Sequence, residues 1–571
     1  MIKVMVAKSL MLREEQSAFV SFRYDPEMVK KIKTIENRTY IPDKKEWEIP
    51  VSSIESLKTM FPDQEIIVET KQENEYTVPD DFEFRSKLMP HQLEMIQYGL
   101  NNQHFIIGDD QGLGKTCESL AYSILMKEME QVEHVLIICG VNGLKENWAE
   151  EIEKHTYEKQ MILGARYTKK GTLKAIRNED KIEDIKNLDL YPDVLFLITN
   201  YESFRNQEFA DEMIRAVSLK KIGIIIFDEI HKCKNPTMLA AKNILKLKPQ
   251  HRIGLSGTMI INSPLDAYMA LSWFGFETRN YYHFKATYTR SKVITKKEPD
   301  ENGVHQKVKI FIGYQNIEEI QQKLDHCMIR RLKKDVLNLP PKIHKNVYCS
   351  MSEQQWKLYR EIKSDLVSES LRIGTIKNQL VKLNQLRQVT IDTSLVSQIK
   401  SESGKLQKMV DLVENAVSAD GKVIIYSEFA EAIKLAAKVL KKYQPAIVTG
   451  SVAHPLDEIR RFKKDEKCKV IMGTSSCLGT GYTLTEAQTV IFLDDPFTNS
   501  DKVQAEDRTY RIGTKGAIVV YTLMVKGTVD DHMADIVEAK ESLSDYLVDK
   551  KELVQTKLIK KLIKKEKNED E

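Results

Sequence analysis

The sequence predicts an α/β protein of two lobes, each a parallel sheet flanked by helices, with a small α+β module in front. From about residue 88 to 273, apolar strand runs alternate with helix-like segments, which is the pattern of a parallel sheet covered on both faces. The same alternation returns after Gly421. The first 80 residues show short alternating runs and no such repeat.

Taken in order, residues 1–80 carry FVSFRY and an isolated Trp47, and end in the polar link TKQENEYTVPDD. They read as a separate small module. Residues 81–275 hold the strand runs FIIG (105–108), VLIICG (135–140), VLFLIT (194–199), IGIIIFD (222–228) and RIGLSG (252–257), and form the first lobe. Across 276–415 the strand signal fades, and QQKLDHCMIRRLKKDVL and IKNQLVKLNQLRQ read as helical insertions and linker. The Pro, Gly and charges of KKEPDENGVHQK predict a loop among them. Residues 416–545 restore the strands with KVIIYS (422–427), PAIVTG (445–450), KVIMGT (469–474), TVIFLD (489–494) and IVVYTLM (518–524), forming the second lobe. Residues 546–571 form a charged tail, basic and then acidic, read as a solvated helix end.

The length suggests about four units of ordinary domain size. With 42% apolar and 30% charged residues, the composition is that of a globular chain, and no apolar run is long enough to cross a bilayer. The opening MIKVMVAKSLMLREE lacks the apolar core and cleavage site of a secretory signal. Lys and Arg number 86 against 83 Asp and Glu, so any nucleic-acid track must come from local placement rather than net charge. The 7 cysteines sit singly with no CxxC pair, which argues against zinc, an iron–sulfur cluster or a disulfide framework. A reducing, cytoplasmic setting is expected, in a bacterial or virus-infected cell, or a nuclear one in a eukaryote.

Two stretches carry the chemistry. Asp109 to Thr116 (DDQGLGKT) follows an apolar run and ends in Gly114-Lys115-Thr116, so backbone N–H groups of the turn and the next helix can cradle phosphates. Lys115 would then reach the β and γ phosphates of ATP, and the Thr116 hydroxyl would bind Mg²⁺. The form is not strict, because Asp109 stands where the first glycine belongs. Asp228 to His231 (DEIH) ends the most apolar strand run and brings two adjacent carboxylates to the sheet edge where nucleotides bind. Asp228 is expected to hold Mg²⁺ and Glu229 to orient the attacking water. In QAEDRTYR, Arg508 and Arg511 lie three apart and are expected on one helical face, reaching one phosphate group from the second lobe.

These motifs resemble, in order and over about residues 85–540, the Swi/Snf-related branch of helicase superfamily two. The matching segments are LMPHQ (88–92), DDQGLGKT, GLKENW, ITNYE (198–202), DEIHKCKN and LSGTMIINSPLD (255–266) in the first half. RRLKKDVLNLPPK (330–342), YSEF, SSCLGTGYTLT, FLDDPFTNS and QAEDRTYRIGTK follow. The resemblance implies RecA-like lobes and an ATP- and DNA-dependent motor that hydrolyses ATP to ADP and phosphate. It implies that Gln92 reads the adenine and that Asp109, Asp110, Gln111, Gly112, Leu113, Gly114, Lys115 and Thr116 enclose the triphosphate. It further implies that His231, Ser256, Thr258 and Gln504 couple nucleotide state to lobe closure. Lys145, Asn147, Thr199, Asn200, Ser427, Thr474 and Thr480 would form a track along the DNA backbone, where small polar groups grip phosphate without reading bases. Met259, Ile261, Tyr482 and Thr483 depart from the family pattern and bear on coupling between ATP and DNA.

Residues 18–50 resemble the HARP-type module of annealing helicases, through Phe22, Tyr24, Tyr40 and Trp47, with Lys30, Lys31, Lys33, Lys44 and Lys45 available to phosphate. The combined expectation is a monomeric ATP-dependent translocase on duplex or forked DNA. Its cofactors would be ATP and Mg²⁺, its setting DNA replication or repair alongside proteins of those processes, and no membrane is involved. A single-strand or RNA helicase of the same superfamily, or a nucleotide-dependent clamp without motor activity, are the alternatives.

Overall fold

The computed structural model describes residues 2–8, 16–22, 24–41, 46–70, 77–130, 132–140, 144–166, 174, 176–257, 263–295, 307–371, 376–399, 401–452, 455–479, 481–497, 499–514 and 516–531. The expected charged tail at 546–571 lies outside the described residues.

The N-terminal module is α+β, as expected. Its five-stranded sheet runs in the order Thr39–Ile41, Glu46–Pro50, Gln16–Phe22, Ile2–Lys8, Ile66–Thr70. Alternation sets its inner face: Ile2, Val4, Val20 and Ile49 are buried with Ile32, Trp47 and Leu57 in one core. Asp25 caps the helix Pro26–Ile32, its carboxylate accepting the N–H groups of Glu27 at 2.8 Å and Met28 at 3.2 Å, with proline at the first helical position.

The first lobe is a seven-stranded sheet, in the order Met328–Ile329, His104–Ile107, His251–Leu255, Ile222–Asp228, His134–Cys139, Val194–Asn200, Lys159–Ile162. Every pairing is parallel. The two central strands are buried along almost their whole length, which is why they read as unbroken apolar runs rather than alternating ones. Helices cover both faces and build two cores. Parallel strands all end at one edge, so the loops after Ile107, Cys139, Asn200, Asp228 and Leu255 gather there.

The second lobe is a six-stranded parallel sheet, in the order Lys342–Cys349, Ile518–Val525, Ala487–Phe492, Lys422–Ser427, Val470–Thr474, Ala446–Val448. The helices Glu353–Leu371 and Ile376–Ile391 pack on each other beside it.

The stretch expected to be helical insertions differs in three places. The helix Ile317–Cys327 stops early, and Met328–Ile329 pairs with Ile106–Ile107 as an edge strand of the first lobe. The backbone there is drawn away from helical bonding: Gly108 N donates to Ile329 O at 2.8 Å and Asp110 N to Arg331 O at 3.0 Å. Lys342–Cys349 is the edge strand of the second lobe, half-exposed and too polar to announce itself. Thr289–Thr295 and Lys307–Tyr314 form an antiparallel ribbon, and the loop expected between them, at 296–306, lies outside the described residues. Among the described residues, no helix is long and apolar enough to cross a membrane.

Candidate nucleotide site between the lobes

The phosphate loop leaves the strand His104–Ile107 and enters the helix Lys115–Glu130, whose first N–H groups face the cleft. Two of its residues need positive φ, Gly112 at 86° and Gly114 at 97°. A Cβ at Gly112 would collide with Arg511 of the other lobe, and one at Gly114 with the Gln92 amide, so close approach as well as conformation requires glycine. Gln92 accepts the Met89 N–H at 2.9 Å and lines the cleft beside the loop. Lys115 Nζ donates to the carbonyls of Asp109 at 2.6 Å and Asp110 at 3.2 Å, and burial pulls its ammonium below the usual range against the pull of Glu229 and Asp109.

Asp109 and Leu113 do not line the cleft. The Asp109 carboxylate is fully buried and turned to Arg331, accepting its backbone N–H at 2.9 Å and Nε–H at 3.1 Å. The acid that replaces the first glycine therefore anchors the loop to the interlobe linker rather than meeting phosphate. Leu113 is buried and its carbonyl is bonded by His91 at 3.0 Å. Asp110 points the same way as Asp109, its carboxylate accepting the Lys333 N–H at 2.9 Å.

Asp228 ends the strand Ile222–Asp228, and its Oδ2 accepts from Trp148 Nε1 at 3.0 Å. Burial, then the adjacent Glu229 charge, pushes the Asp228 carboxyl up to about 6. Glu229 sits in the left-handed region, at φ 51° and ψ 49°, a strained conformation for a residue with a side chain. Burial works against its charge too, but His231, Lys232, Lys115 and Arg508 outweigh that and hold it below the usual range. His231 Nδ1 shares a hydrogen bond with Ser256 Oγ at 2.8 Å, and burial pulls the ring below the usual imidazole range against the opposing pull of Glu229. A buried Asp228 carboxyl raised by burial and by the adjacent Glu229 charge fits a divalent cation. Among the described residues no group of three or more His, Cys, Asp or Glu could hold one, so Thr116 and Asp228 would do so together with phosphate oxygens, as suits Mg²⁺.

The second lobe supplies the opposing charge. Arg508 Nη2 donates to Gln111 Oε1 at 2.7 Å, and Gln504 Nε2 donates to Glu229 Oε1 at 3.3 Å. The expected helical face does not hold: the helix Asn499–Glu506 ends before either arginine. It stops because Arg508 O is claimed by Leu484 N–H at 2.8 Å and Thr514 Oγ1 receives the Arg511 N–H at 3.1 Å, so both arginines ride on the turn that follows. Burial and the neighbouring Arg508 push Arg511 down to about 10, against the pull of Glu151 and Asp507. Lys115, Thr116 and Gln92 from one lobe and Arg508, Arg511 and Thr483 from the other line one cleft of about 280 Å³.

The residues expected to track DNA lie at or beside the C-terminal strand ends of both sheets, mostly turned inward. Lys145 is buried at the start of the helix Leu144–His155, and Asn147 lines the nucleotide cleft. Thr199 donates to Ser203 Oγ at 3.2 Å, Ser203 donates to Asn200 at 2.8 Å, and Ser427 donates to Asp494. Thr474 accepts from Ser476 at 3.3 Å. Thr258 and Thr480, with Met259 and Ile261, lie outside the described residues. Sequence reasoning assigned no role to Trp148, Arg331 or Lys333; the clue was Asp109 itself, a carboxylate where the motif wants none.

Comparison with known proteins places these observations in a family. The SNF2-related domain matches residues 15–406, and the helicase conserved C-terminal domain matches residues 404–513. A Bacillus subtilis protein named "Putative ATP-dependent helicase/translocase YwqA" is 24% identical over 492 residues, covering 81% of this chain and 49% of its own length. The human DNA excision repair protein ERCC-6-like is 25% identical over 549 residues, covering 81% of this chain and 41% of its own. The chain thus spans about half the length, or less, of these curated relatives. The Sulfolobus solfataricus SWI2/SNF2 ATPase core in complex with dsDNA is 23% identical, with a TM-score of 0.36, covering 86% of this chain and 99% of that one. Because the first match spans well over half the residues, the chain belongs to the SNF2-related family, with a helicase C-terminal domain as its second lobe.

Proposed function

We propose that this chain is an ATP-dependent DNA translocase, which hydrolyses ATP in a cleft whose two walls come from different lobes. The observation that carries this reading is the pair of interlobe contacts at the cleft, Arg508 to Gln111 and Gln504 to Glu229. They put the arginines of one lobe against the phosphate loop and the catalytic acid of the other. Lys115 leaves its two carbonyl partners to meet the β and γ phosphates, and Thr116 and Asp228 hold Mg²⁺, which neutralises phosphate charge when bound. Glu229, kept ionised by His231, Lys232 and Lys115, orients the attacking water. Arg508 and Arg511 meet the charge that grows on the transferring phosphoryl group, which ties hydrolysis to lobe closure.

DNA is the proposed track because polar groups stand at the C-terminal strand ends of each lobe's sheet and because relatives are described as helicases or translocases. Their inward bonding here means that Thr199, Asn200 and Ser427 would grip a backbone only after their partners move, so nucleotide and DNA would act on the same rearrangement. The N-terminal module, with Tyr24 exposed and Lys30, Lys31 and Lys33 on or just past its first helix, is proposed to direct the motor to forked DNA.

The test is ATP turnover by the purified chain with duplex DNA, forked DNA, single-stranded DNA or RNA, at one fixed salt concentration because phosphate contacts weaken steeply with salt. Stimulation by duplex or forked DNA that is lost in Glu229→Gln is expected. Stimulation by RNA alone would replace the reading with an RNA helicase, and DNA binding without turnover would make the chain a clamp.

A further inference from the structure

The basic segment after Ile329 is where the two halves of the cleft meet. Arg331 holds Asp109 through its backbone N–H, Nε and Nη2 and reaches Glu118 at 2.9 Å, both carboxylates being fully buried. Two residues later, Lys333 touches the same loop and the other lobe at once. Its backbone N–H donates to Asp110 Oδ2 at 2.9 Å, and a Cβ on Gly112 would lie 3.5 Å from its Cε. Its Nζ then crosses to the second lobe, donating to Tyr510 O at 2.7 Å and pairing with Asp507 Oδ1 at 2.7 Å.

Those two acceptors stand on either side of Arg508 in the arginine turn. Lys342 and His344 hold the preceding Glu506, at 2.8 and 3.0 Å. With Leu484 bonded to the Arg508 carbonyl, the backbone that carries Arg508 is fixed near its neighbours, and Lys333 ties that fixation to the phosphate loop alongside the Arg508–Gln111 bond and the Ile512 N–H to Gly112 O bond at 3.4 Å.

We propose that Lys333 is a positioning residue for Arg508, a strut that sets the distance between the phosphate loop and the arginine turn. This rests on the reading of the cleft as an ATP-hydrolysing site. The alternative, a cation present only to neutralise Asp507, would leave the side-chain bond to the Tyr510 carbonyl without purpose. Burial draws the Lys333 ammonium down to about 8, and Asp507 is the charge that opposes this, so a costly group is kept where an apolar side chain would pack more easily.

A strut acts on the transition state, where the arginine is needed, and leaves nucleotide binding by the loop intact. Lys333→Met should therefore lower kcat by about 10²-fold, the cost of a misplacement near 1 Å, while KM for ATP stays within about threefold. In an Arg508→Ala background the same change should add little, because the residue it positions is gone. Lys333→Gln, which keeps a donor for Tyr510 O and is the fallback if Lys333→Met does not fold, should show the same split at about tenfold. Wild-type kcat in either variant, losses in kcat that multiply fully with Arg508→Ala, or a KM that rises in step with the fall in kcat would overturn the proposal. A wild-type chain with no ATP turnover would instead remove the functional reading beneath it, so the two failures are told apart by the unmutated control.

Discussion

Each lobe ends a buried parallel strand near a carboxylate at the same sheet edge, yet the two acids live in opposite circumstances. In the second lobe, Asp494 follows the strand Ala487–Phe492 and is saturated: Arg387 Nη2 donates to it at 2.7 Å, Ser427 donates to its other oxygen, and the Arg387 guanidinium lies 4.1 Å over the Phe497 ring. In the first lobe, Asp228 ends Ile222–Asp228 with one indole N–H for a partner and Glu229 beside it in a strained backbone. The same strand-end acid is thus a fastener in one lobe and a site in the other. What separates them is whether the protein supplies the counter-charge itself or leaves that to a ligand.

The largest effect should come from removing the ligand's counter-charge on the far wall. Arg508→Ala is expected to cut kcat by about 10³-fold or more with folding intact, measured as steady-state ATP turnover. Glu229→Gln should cost about 10²-fold or more in kcat while a fluorescent ATP analogue still binds, and unimpaired turnover would show the pair to be structural. The fastener should behave in reverse. Arg387→Ala leaves Asp494 buried and unpaired, and should destabilise by about 3–5 kcal/mol in denaturant unfolding, the usual cost of breaking a buried pair.

The comparison sharpens with pH. Asp228 is raised to about 6 from 3.8, so the folded state binds its proton more tightly than the unfolded chain. Its penalty on folding is full above about 6 and fades as pH falls through that value. Glu151, held down to about 2 by His155 and Lys154 despite burial, runs the other way: its contribution is full above 4.5 and is lost as pH falls toward 2. In metal-free buffer Asp228→Asn should therefore melt above wild type at pH 8, keep about half of that advantage at pH 5 and lose most of it by about pH 4; a gap independent of pH would contradict the assignment. The smallest effect belongs to the N-terminal module. Deleting residues 1–80 should abolish the preference for forked over linear duplex DNA and spare basal turnover.

Legibility followed burial. Ile222–Asp228 and His134–Cys139 announced themselves because parallel strands enclosed on both faces must be apolar throughout. Lys342–Cys349 did not, because an edge strand half in water keeps Lys342, His344 and Lys345. The cleft residues Lys115, Thr116, Asp228, Glu229, Arg508 and Arg511 are legible because local motifs carry them and the motifs recur together in order. The helical placement of the two arginines failed because the turn is set by Leu484, a distant partner in sequence. Asp109 was misassigned for the same reason: its partner Arg331 lies 222 residues away, and no local pattern carries that distance.

Met328–Ile329 is sewn into one sheet and Lys342–Cys349 into the other, leaving residues 330–341 as the direct bridge between them. Even fully stretched, such a bridge reaches roughly 40 Å, and Pro340 and Pro341 shorten its freedom further. The lobes are therefore tethered like the halves of a clasp. They can swing and reclose on the same partner face, but neither can wander off along a polymer while the other stays behind.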